Sequence, residues 1–382
     1  MGDQPETSDV IVLGGGVIGA AVAWRSAQRG LRVTLVDPQT DAGAWRAAAG
    51  MLAPLSELHY CETGLLRLSL ESLERFPGFV SELTELTGVA TGFRRCGTVT
   101  VGWDGADLAG LRDVQAFAQQ LGLDASMVTG RELRSLEPAL ATGLPGGLLA
   151  ENDHQVDPRL LHQALLAAGA LEGVVQVRGT AEVVARGGRA AGVRLSDGTQ
   201  LGAGTVVAAM GAWTGGVGGV PRDLLPAVRP VKGQTLRLRL PGAPRLSRVV
   251  RGVVRGSAVY LVPRADGRLV VGASSEEAGY DASIRAGAVY ESLRDAQTLL
   301  PELGEAVLEE VAVGFRPGTP DNLPIVGPSG LDGLLLASGH YRNGILLSAI
   351  TADGVADVLS GGSLPDVLEP CAPGRLRQVA SA

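Results

Sequence analysis

Residues 9–37 read DVIVLGGGVIGAAVAWRSAQRGLRVTLVD, and this stretch decides the fold. The run DVIVLG is short, apolar and rich in β-branched residues, which predicts a buried strand. Gly14, Gly16 and Gly19 then form G-x-G-x-x-G. The first glycine permits a tight turn and the second lets a pyrophosphate approach the backbone. The third lets the next helix pack closely on the strand. A helix beginning near Gly15 would aim its free N–H groups and positive dipole end at phosphates. A second strand, LRVTLVD, ends in Asp37, 18 residues beyond Gly19. An acid at about that spacing binds ribose hydroxyls, and its charge disfavours the 2′-phosphate of NADP. The stretch therefore reads as a dinucleotide socket, with NAD and FAD both open at this point.

The chain has 382 residues, enough for two domains or one large one. Apolar residues make up 45%, so a proper core is available. A net charge of −7 argues against a nucleic-acid partner, whose phosphates need a basic face. Lys232 is the only lysine, which fits a bias in base composition. Cys61, Cys96 and Cys371 are far apart and follow no C-x-x-C pattern. They suit a reducing cytosol and support neither a metal site nor a disulfide framework. His59, His154, His162 and His340 include no H-x-x-x-H pair. No apolar run reaches the roughly 18 residues of a transmembrane helix. The opening MGDQPETSD is polar and acidic, unlike a signal peptide. The expectation is a soluble cytoplasmic protein with no membrane partner.

Further along, residues 38–60 read as irregular, 62–88 as a helix and 97–103 as a strand. Helices follow at 106–122 and 130–136. Asp157 as N-cap and Pro158 at the first helical position open another helix. Asp197-Gly198 and Asp266-Gly267 signal hairpin turns. TLRLRL (235–240) alternates Leu236, Leu238 and Leu240 with Arg237 and Arg239, the pattern of a strand with one wet face. Residues 284–299 read as a helix. GLLLASGHYRNGILLSAITADGVADVLSG (333–361) reads as a buried strand, a tight loop and a helix from about Gly344. Nucleotide-binding signals thus flank a strand-rich block, which predicts an α/β fold (α+β overall) with a domain inserted into a segmented nucleotide-binding domain.

GGGVIG (14–19), AAAGMLAP (47–54), GAWT (211–214), YLVPRADGRLVVGAS (260–274), GFRPGTPDNLPIVG (314–327) and GHYRNGILL (339–347) together carry a resemblance. The chain resembles the D-amino-acid-oxidase-like family of FAD-dependent amine oxidoreductases, in particular its glycine-oxidising branch linked to thiamin biosynthesis. The resemblance implies a Rossmann-like FAD-binding domain of the glutathione-reductase/D-amino-acid-oxidase type, formed by residues 1–85, 150–220 and 312–382. Residues 86–149 and 221–311 would form an inserted substrate domain on an antiparallel sheet. It implies FAD, held non-covalently because GFRPGTPDNLPIVG contains no cysteine. Gly14, Gly16, Val17, Ile18 and Gly19 would line the pyrophosphate, and Asp37 and Pro38 the ribose. Ala44 and Trp45, with Ala49, Gly50 and Met51, would run towards the isoalloxazine. Ala181 would offer a backbone contact to adenine, and Gly211 would also touch the cofactor. His340, Tyr341, Arg342, Asn343, Gly344, Ile345 and Leu346 would close over the flavin, with the helix from Gly344 stabilising its N1–C2=O edge. Two departures stand out: Asp37 replaces the family's longer Glu, and Trp45 and Arg46 replace small hydroxyl residues.

For the substrate, the resemblance points to Arg316 as the carboxylate-binding residue, with Arg342 and Tyr260 beside it. A guanidinium suits a carboxylate because its planar fork can bond both oxygens. The implied reaction is hydride transfer from glycine Cα to flavin N5, with no side chain as acid or base. The imine would hydrolyse to glyoxylate or pass to thiazole synthesis, and dioxygen would reoxidise the flavin to give hydrogen peroxide. A homo-oligomer, specifically a tetramer, is expected. A D-amino acid dehydrogenase or a sarcosine-oxidase-like enzyme on the same fold is the alternative.

Overall fold

Strand β1 (Ser8–Leu13), helix α1 (Val17–Gln28) and strand β2 (Val33–Asp37) form the predicted β-α-β unit, with the two strands parallel. The computed structural model describes residues 7–39, 42–242 and 245–376. Residues 1–6 of the polar opening stretch lie outside them. The helix starts at Val17 with Gly16 as N-cap, later than the sequence suggests, because Gly14–Gly16 are consumed in turning the chain. Each glycine has a distinct reason. Gly14 has φ +99°, and a Cβ there would sit 2.5 Å from the Ala209 carbonyl oxygen. A Cβ on Gly19 would overlap the Gly14 carbonyl oxygen. Gly16 meets nothing within 4 Å, so its backbone faces open space.

β1 lies at the centre of an eight-stranded sheet. Its parallel neighbours are β2 and Gln200–Ala208; Val175–Arg178 extends the sheet beyond β2 and Leu334–Ser338 beyond Gln200–Ala208. Ile325–Pro328 adds an antiparallel edge, and Ala181–Arg186 and Arg189–Leu195 form a meander off Gln200–Ala208. The turn after Arg189–Leu195 falls at Asp197-Gly198, where the Asp197 carboxylate accepts the Thr199 amide. α1 is apolar almost all round and packs between the helices Pro158–Leu171 and Ser348–Leu359. Asp157 caps Pro158–Leu171 by accepting the amides of Arg159 and Leu160, as its sequence predicts.

A second eight-stranded sheet carries the middle of the chain. Its strands are antiparallel except for one parallel pair, Thr98–Gly102 with Val249–Val254. The long strands Arg229–Arg239 and Val307–Gly318 form one edge and run along their full length together. The hairpin Ser257–Pro263 to Arg268–Gly272 turns at Asp266-Gly267. Leu236 and Leu238 are buried as predicted, but the opposite face is not wet at Arg237, which is 2% exposed. Residues 46–47 and the start of Pro158–Leu171 roof that face, and Arg237 donates to the Arg46 carbonyl. Arg239 stays at the surface with Glu309.

The last helix begins at Ser348, not near Gly344. Residues 341–347 form successive turns instead: the Asn343 amide donates to His340 O and the Leu347 amide to Asn343 O. Among the described residues, no helix is long and apolar enough to cross a membrane.

Trp24 anchors α1 in this core; it is fully buried and packs edge-on against Phe79 at 5.4 Å. Trp24→Ala is expected to cost about 3–5 kcal/mol, read as a lowered denaturant midpoint at unchanged slope.

Candidate functional site

Between the two sheets lies a cavity of about 1410 Å³. That exceeds the roughly 300–1,000 Å³ typical of sites for drug-sized ligands. Gly14, Gly16, Val17, Ile18, Asp37, Pro38 and Ala181 border it. Ala44, Trp45, Ala49, Gly50 and Met51 form part of its wall, and Gly211, His340, Tyr341, Gly344 and Ile345 another. Tyr260, Arg316 and Arg342 also line it. Three expected residues do not. Gly19 lies beneath the Gly14 carbonyl, as its packing role demands. Leu346 turns into the core, where its carbonyl accepts the Ser72 hydroxyl at 2.6 Å. Asn343 spends its amide and carbonyl on the turns around it.

The Gly15 peptide is gripped from both sides. Its amide donates to Asp37 Oδ2 at 2.6 Å, and its carbonyl accepts from His162 Nε2 at 2.7 Å. Trp45 stacks on the His162 ring at 3.9 Å. The departures at Asp37 and Trp45 thus meet a structural answer. Asp37 is short enough to hold Gly15, where a Cβ would lie 3.0 Å from its side chain. Trp45 fixes the histidine that holds the other side. His162 was not foreseen, because nothing in its helix marks one face as a ligand wall.

An FAD fits these residues. Gly16 leaves its backbone open to the cavity. The Asp37 carboxylate accepts the amides of Gly15 and Gln39, and an ionised carboxylate offers about four acceptor positions, which leaves room for ribose hydroxyls. Near His340, the amides of Gly344 and Ile345 border the cavity and have no carbonyl partner among the described residues. They can stabilise negative charge even though the regular helix starts later.

Charged side chains gather around Arg316. Arg251 lies directly opposite Tyr260 across the hairpin Val249–Val254 and Ser257–Pro263, so both leave the same face. Glu57 bridges Arg251 at 2.7 Å and Arg342 at 3.0 Å. Glu62 pairs with Arg342 and accepts from Asn322 at 2.7 Å. Burial alone would raise the Glu57 carboxyl; Arg251 and Arg342 outweigh it and hold it below its ordinary value. Burial likewise opposes ionisation of Glu62, and the hydrogen bonds from Arg342 and Asn322 prevail. Arg316 differs from its neighbours: it donates to the carbonyls of Ser274 and Lys232 and has no carboxylate partner among the described residues. Gly233 makes room for it, since a Cβ there would overlap its guanidinium. Lys232 has a use beyond base composition: fully buried, it donates to Ser283 O at 2.6 Å and faces Glu276 at 3.4 Å, while its own carbonyl accepts from Arg316.

This fold and cavity define a dinucleotide-dependent oxidoreductase of the flavoprotein type. The chain belongs to the family of FAD dependent oxidoreductases called DAO, whose model matches residues 9–358. FAD is therefore its cofactor. It is 36% identical over 374 residues to the bifunctional protein ThiO/ThiG of Synechocystis sp., covering 97% of this chain and 54% of that one. The chain thus spans about half the length of the bifunctional relatives it matches. It is 34% identical over 354 residues to glycine oxidase of Geobacillus kaustophilus, covering 92% of each. The crystal structure of that glycine oxidase superposes with a TM-score of 0.87 over 96% of this chain and 98% of that one. An iminodiacetate oxidase from Chelativorans sp. is 26% identical and superposes at 0.86 over 95% and 98%.

His340, 2% exposed, hydrogen-bonds with the Thr351 hydroxyl at 3.0 Å, and burial pushes its pKa down to about 3. It is neutral in the folded protein at working pH. The unfolded chain takes up a proton near its ordinary 6.5, so the stability it contributes is present above that value and is lost as pH falls towards 3. Between pH 7 and 4.5 the parent protein should lose roughly 2–3 kcal/mol more unfolding free energy than His340→Gln, measured by urea titration at both pH values.

Proposed function

We propose that the chain is an FAD-dependent oxidase of glycine, forming an imine that hydrolyses to glyoxylate and ammonia. The observation that carries this reading is the charge balance around Arg316. Arg251, Arg316 and Arg342 face Glu57 and Glu62, three positive charges against two negative. The surplus resides on Arg316. A glycine with an ionised carboxylate and a neutral amine carries the one negative charge that completes the balance.

When bound, FAD supplies the electron sink that takes a hydride from the substrate Cα. Arg316 binds both carboxylate oxygens, and Tyr260 adds a hydroxyl donor from the same wall. Burial raises the Tyr260 pKa, so it keeps its proton. Glu57 and Glu62 neutralise Arg251 and Arg342, which therefore do not compete for the carboxylate. The chain's main contribution is to hold one orientation, converting binding energy into proximity. The amine proton leaves to solvent before the reaction, so no side chain need act as base.

The finer features follow from the resemblance and these supports. Dioxygen is the electron acceptor, and hydrogen peroxide the second product. The imine serves thiamin thiazole synthesis, as the match to ThiO/ThiG proteins suggests. FAD is non-covalent: among the described residues, Cys61, Cys96 and Cys371 are free and none borders the cavity. These free thiols suit the cytoplasm. The protein assembles as a homotetramer, for which the exposed Tyr280, Ile284 and Tyr290 offer apolar surface. The division into FAD-binding segments 1–85, 150–220 and 312–382 and substrate segments 86–149 and 221–311 is supported by the strands of the two sheets, except that Gly146–Ala150 and Val307–Gly318 of the second sheet each cross a boundary.

Arg316→Ala should lower kcat/KM for glycine by roughly 10²–10³-fold, about 3–4 kcal/mol, with FAD still bound. Arg316→Lys should recover only part, because an ammonium lacks the fork. The parent kcat/KM should rise with pH until the free amine is deprotonated. Steady-state peroxide assays across pH test both; an Arg316→Ala enzyme as active as the parent, or a flat pH profile, overturns the reading.

A further inference from the structure

Residues 47–50 border the cavity, and the carbonyls of residues 46, 47, 49 and 50 are held from behind. Arg46 O accepts from Arg159 Nη2 at 3.0 Å and Nε at 3.2 Å, and from Arg237 Nη2 at 2.8 Å. Ala47 O accepts the Thr235 hydroxyl at 2.8 Å. Ala49 O accepts from Arg264 Nη2 at 2.6 Å, and Gly50 O from the Val156 amide at 2.9 Å. The amides of Ala49 and Gly50 have no carbonyl partner among the described residues, and both residues border the cavity.

The three arginines come from separate parts of the chain: the start of Pro158–Leu171, the end of Arg229–Arg239 and the loop after Ser257–Pro263. Arg237 is 2% exposed and Arg264 5%. Two carboxylates answer them: Glu310 pairs with Arg159 at 2.7 Å and lies 3.8 Å from Arg237, and Asp157 lies 3.6 Å from Arg264. Arg159, Arg237 and Arg264 thus outnumber the two carboxylates that pair with them by one positive charge, and Arg46 also acts on Glu310. Arg268 adds none, because Asp266 pairs with it at 2.6 Å. The Nε atoms of Arg237 and Arg264 are buried without a hydrogen-bond partner. Burial lowers both guanidinium pKa values only to about 10, so both stay charged at neutral pH.

Such a cluster is a poor device for stability alone. Well-packed apolar residues would serve a core as well or better, since burying ions costs desolvation. Its geometry serves the loop instead. Arg264 fixes Ala49 O, the carbonyl of the peptide whose amide, Gly50 N, lies at the cavity. Arg159 and Arg237 fix Arg46 O at the start of the loop, where the Ala47 amide turns back to Ala44 O.

We propose that Arg159, Arg237 and Arg264 are positioning residues for the flavin, which lock the peptides of residues 46–50 and place a surplus buried positive charge behind them. The inference rests on the assignment of residues 49–51 to the flavin wall, and not on the identity of the substrate. Reduction adds electron density to the ring. Fixed N–H dipoles and a positive charge favour that state over the oxidised one, so the clamp raises the two-electron potential of bound FAD.

The test uses Arg237→Met, Arg264→Met, Arg237→Lys and Glu310→Gln. FAD affinity is measured by titrating apoprotein and following flavin fluorescence, and the potential of the holoprotein by spectroelectrochemistry without substrate. The methionine variants should lose at least about tenfold in preference for reduced over oxidised FAD, a potential about 30 mV more negative. Arg237→Lys should lie between them and the parent. Glu310→Gln removes a counter-charge from a half-exposed position and should move the potential the opposite way. That sign reversal is what a merely structural role does not produce, and it can be read even if a methionine variant fails to fold. Unchanged potentials in the folded variants, or a Glu310→Gln shift to more negative values, would overturn the proposal.

Discussion

The structure depends on the close approach at the first turn, where the Gly14 carbonyl lies over the Cα of Gly19. Any side chain at Gly19 would push α1 away from β1. The open space in front of Gly16 exists only while that contact holds. Asp37 and His162 then seize the Gly15 peptide from either side, so the second strand and the helix Pro158–Leu171 are registered against the same turn. One backbone contact thereby fixes the glycine-rich turn, the Asp37 carboxylate and one wall of the cavity together.

From that fixed point the cavity reaches the second sheet, where electrostatics takes over from packing. Arg251 and Arg342 are satisfied by Glu57 and Glu62 before any ligand enters. Arg316 is satisfied only by carbonyls. A charge-assisted bond to a carboxylate is stronger than a bond to a neutral carbonyl, so in the proposed function Arg316 is the cation left for the substrate anion. Gly233 and Lys232 serve this arrangement, the first by leaving room for the guanidinium and the second by offering its carbonyl as an acceptor.

Local signals were legible in the sequence where neighbours along the chain determine the outcome. The β-α-β unit, the Asp157 cap and the two Asp-Gly turns follow from residue type and spacing. Arg316 entered through the resemblance carried by GFRPGT, and the structure places it on the cavity wall with Tyr260 and Arg342. Features set by distant packing were not legible. Arg237 alternates with leucines as a wet residue should, yet a loop 191 positions away covers it. Glu57 lies in an irregular stretch and Glu62 at the start of a helix, and their partners Arg251 and Arg342 are 194 to 285 residues downstream. Arg251 could have been found, since Arg255-Gly256 marks the hairpin that sets it opposite Tyr260. The start of the last helix was misread because GHYRNGILL has helical composition, while its turns are fixed by tertiary contacts such as Tyr341 N to Pro317 O.

The central claim is that the surplus charge on Arg316 selects a small amino acid anion for oxidation. Its most direct test is oxygen uptake with coupled peroxide detection on the purified holoprotein, comparing glycine, sarcosine, D-alanine and D-proline by kcat/KM, with a dye acceptor in parallel. The account predicts turnover of glycine with one peroxide formed per oxygen consumed. Flavin reduction without oxygen uptake, or turnover confined to bulky D-amino acids, would contradict it and assign the protein to the dehydrogenases of the same fold.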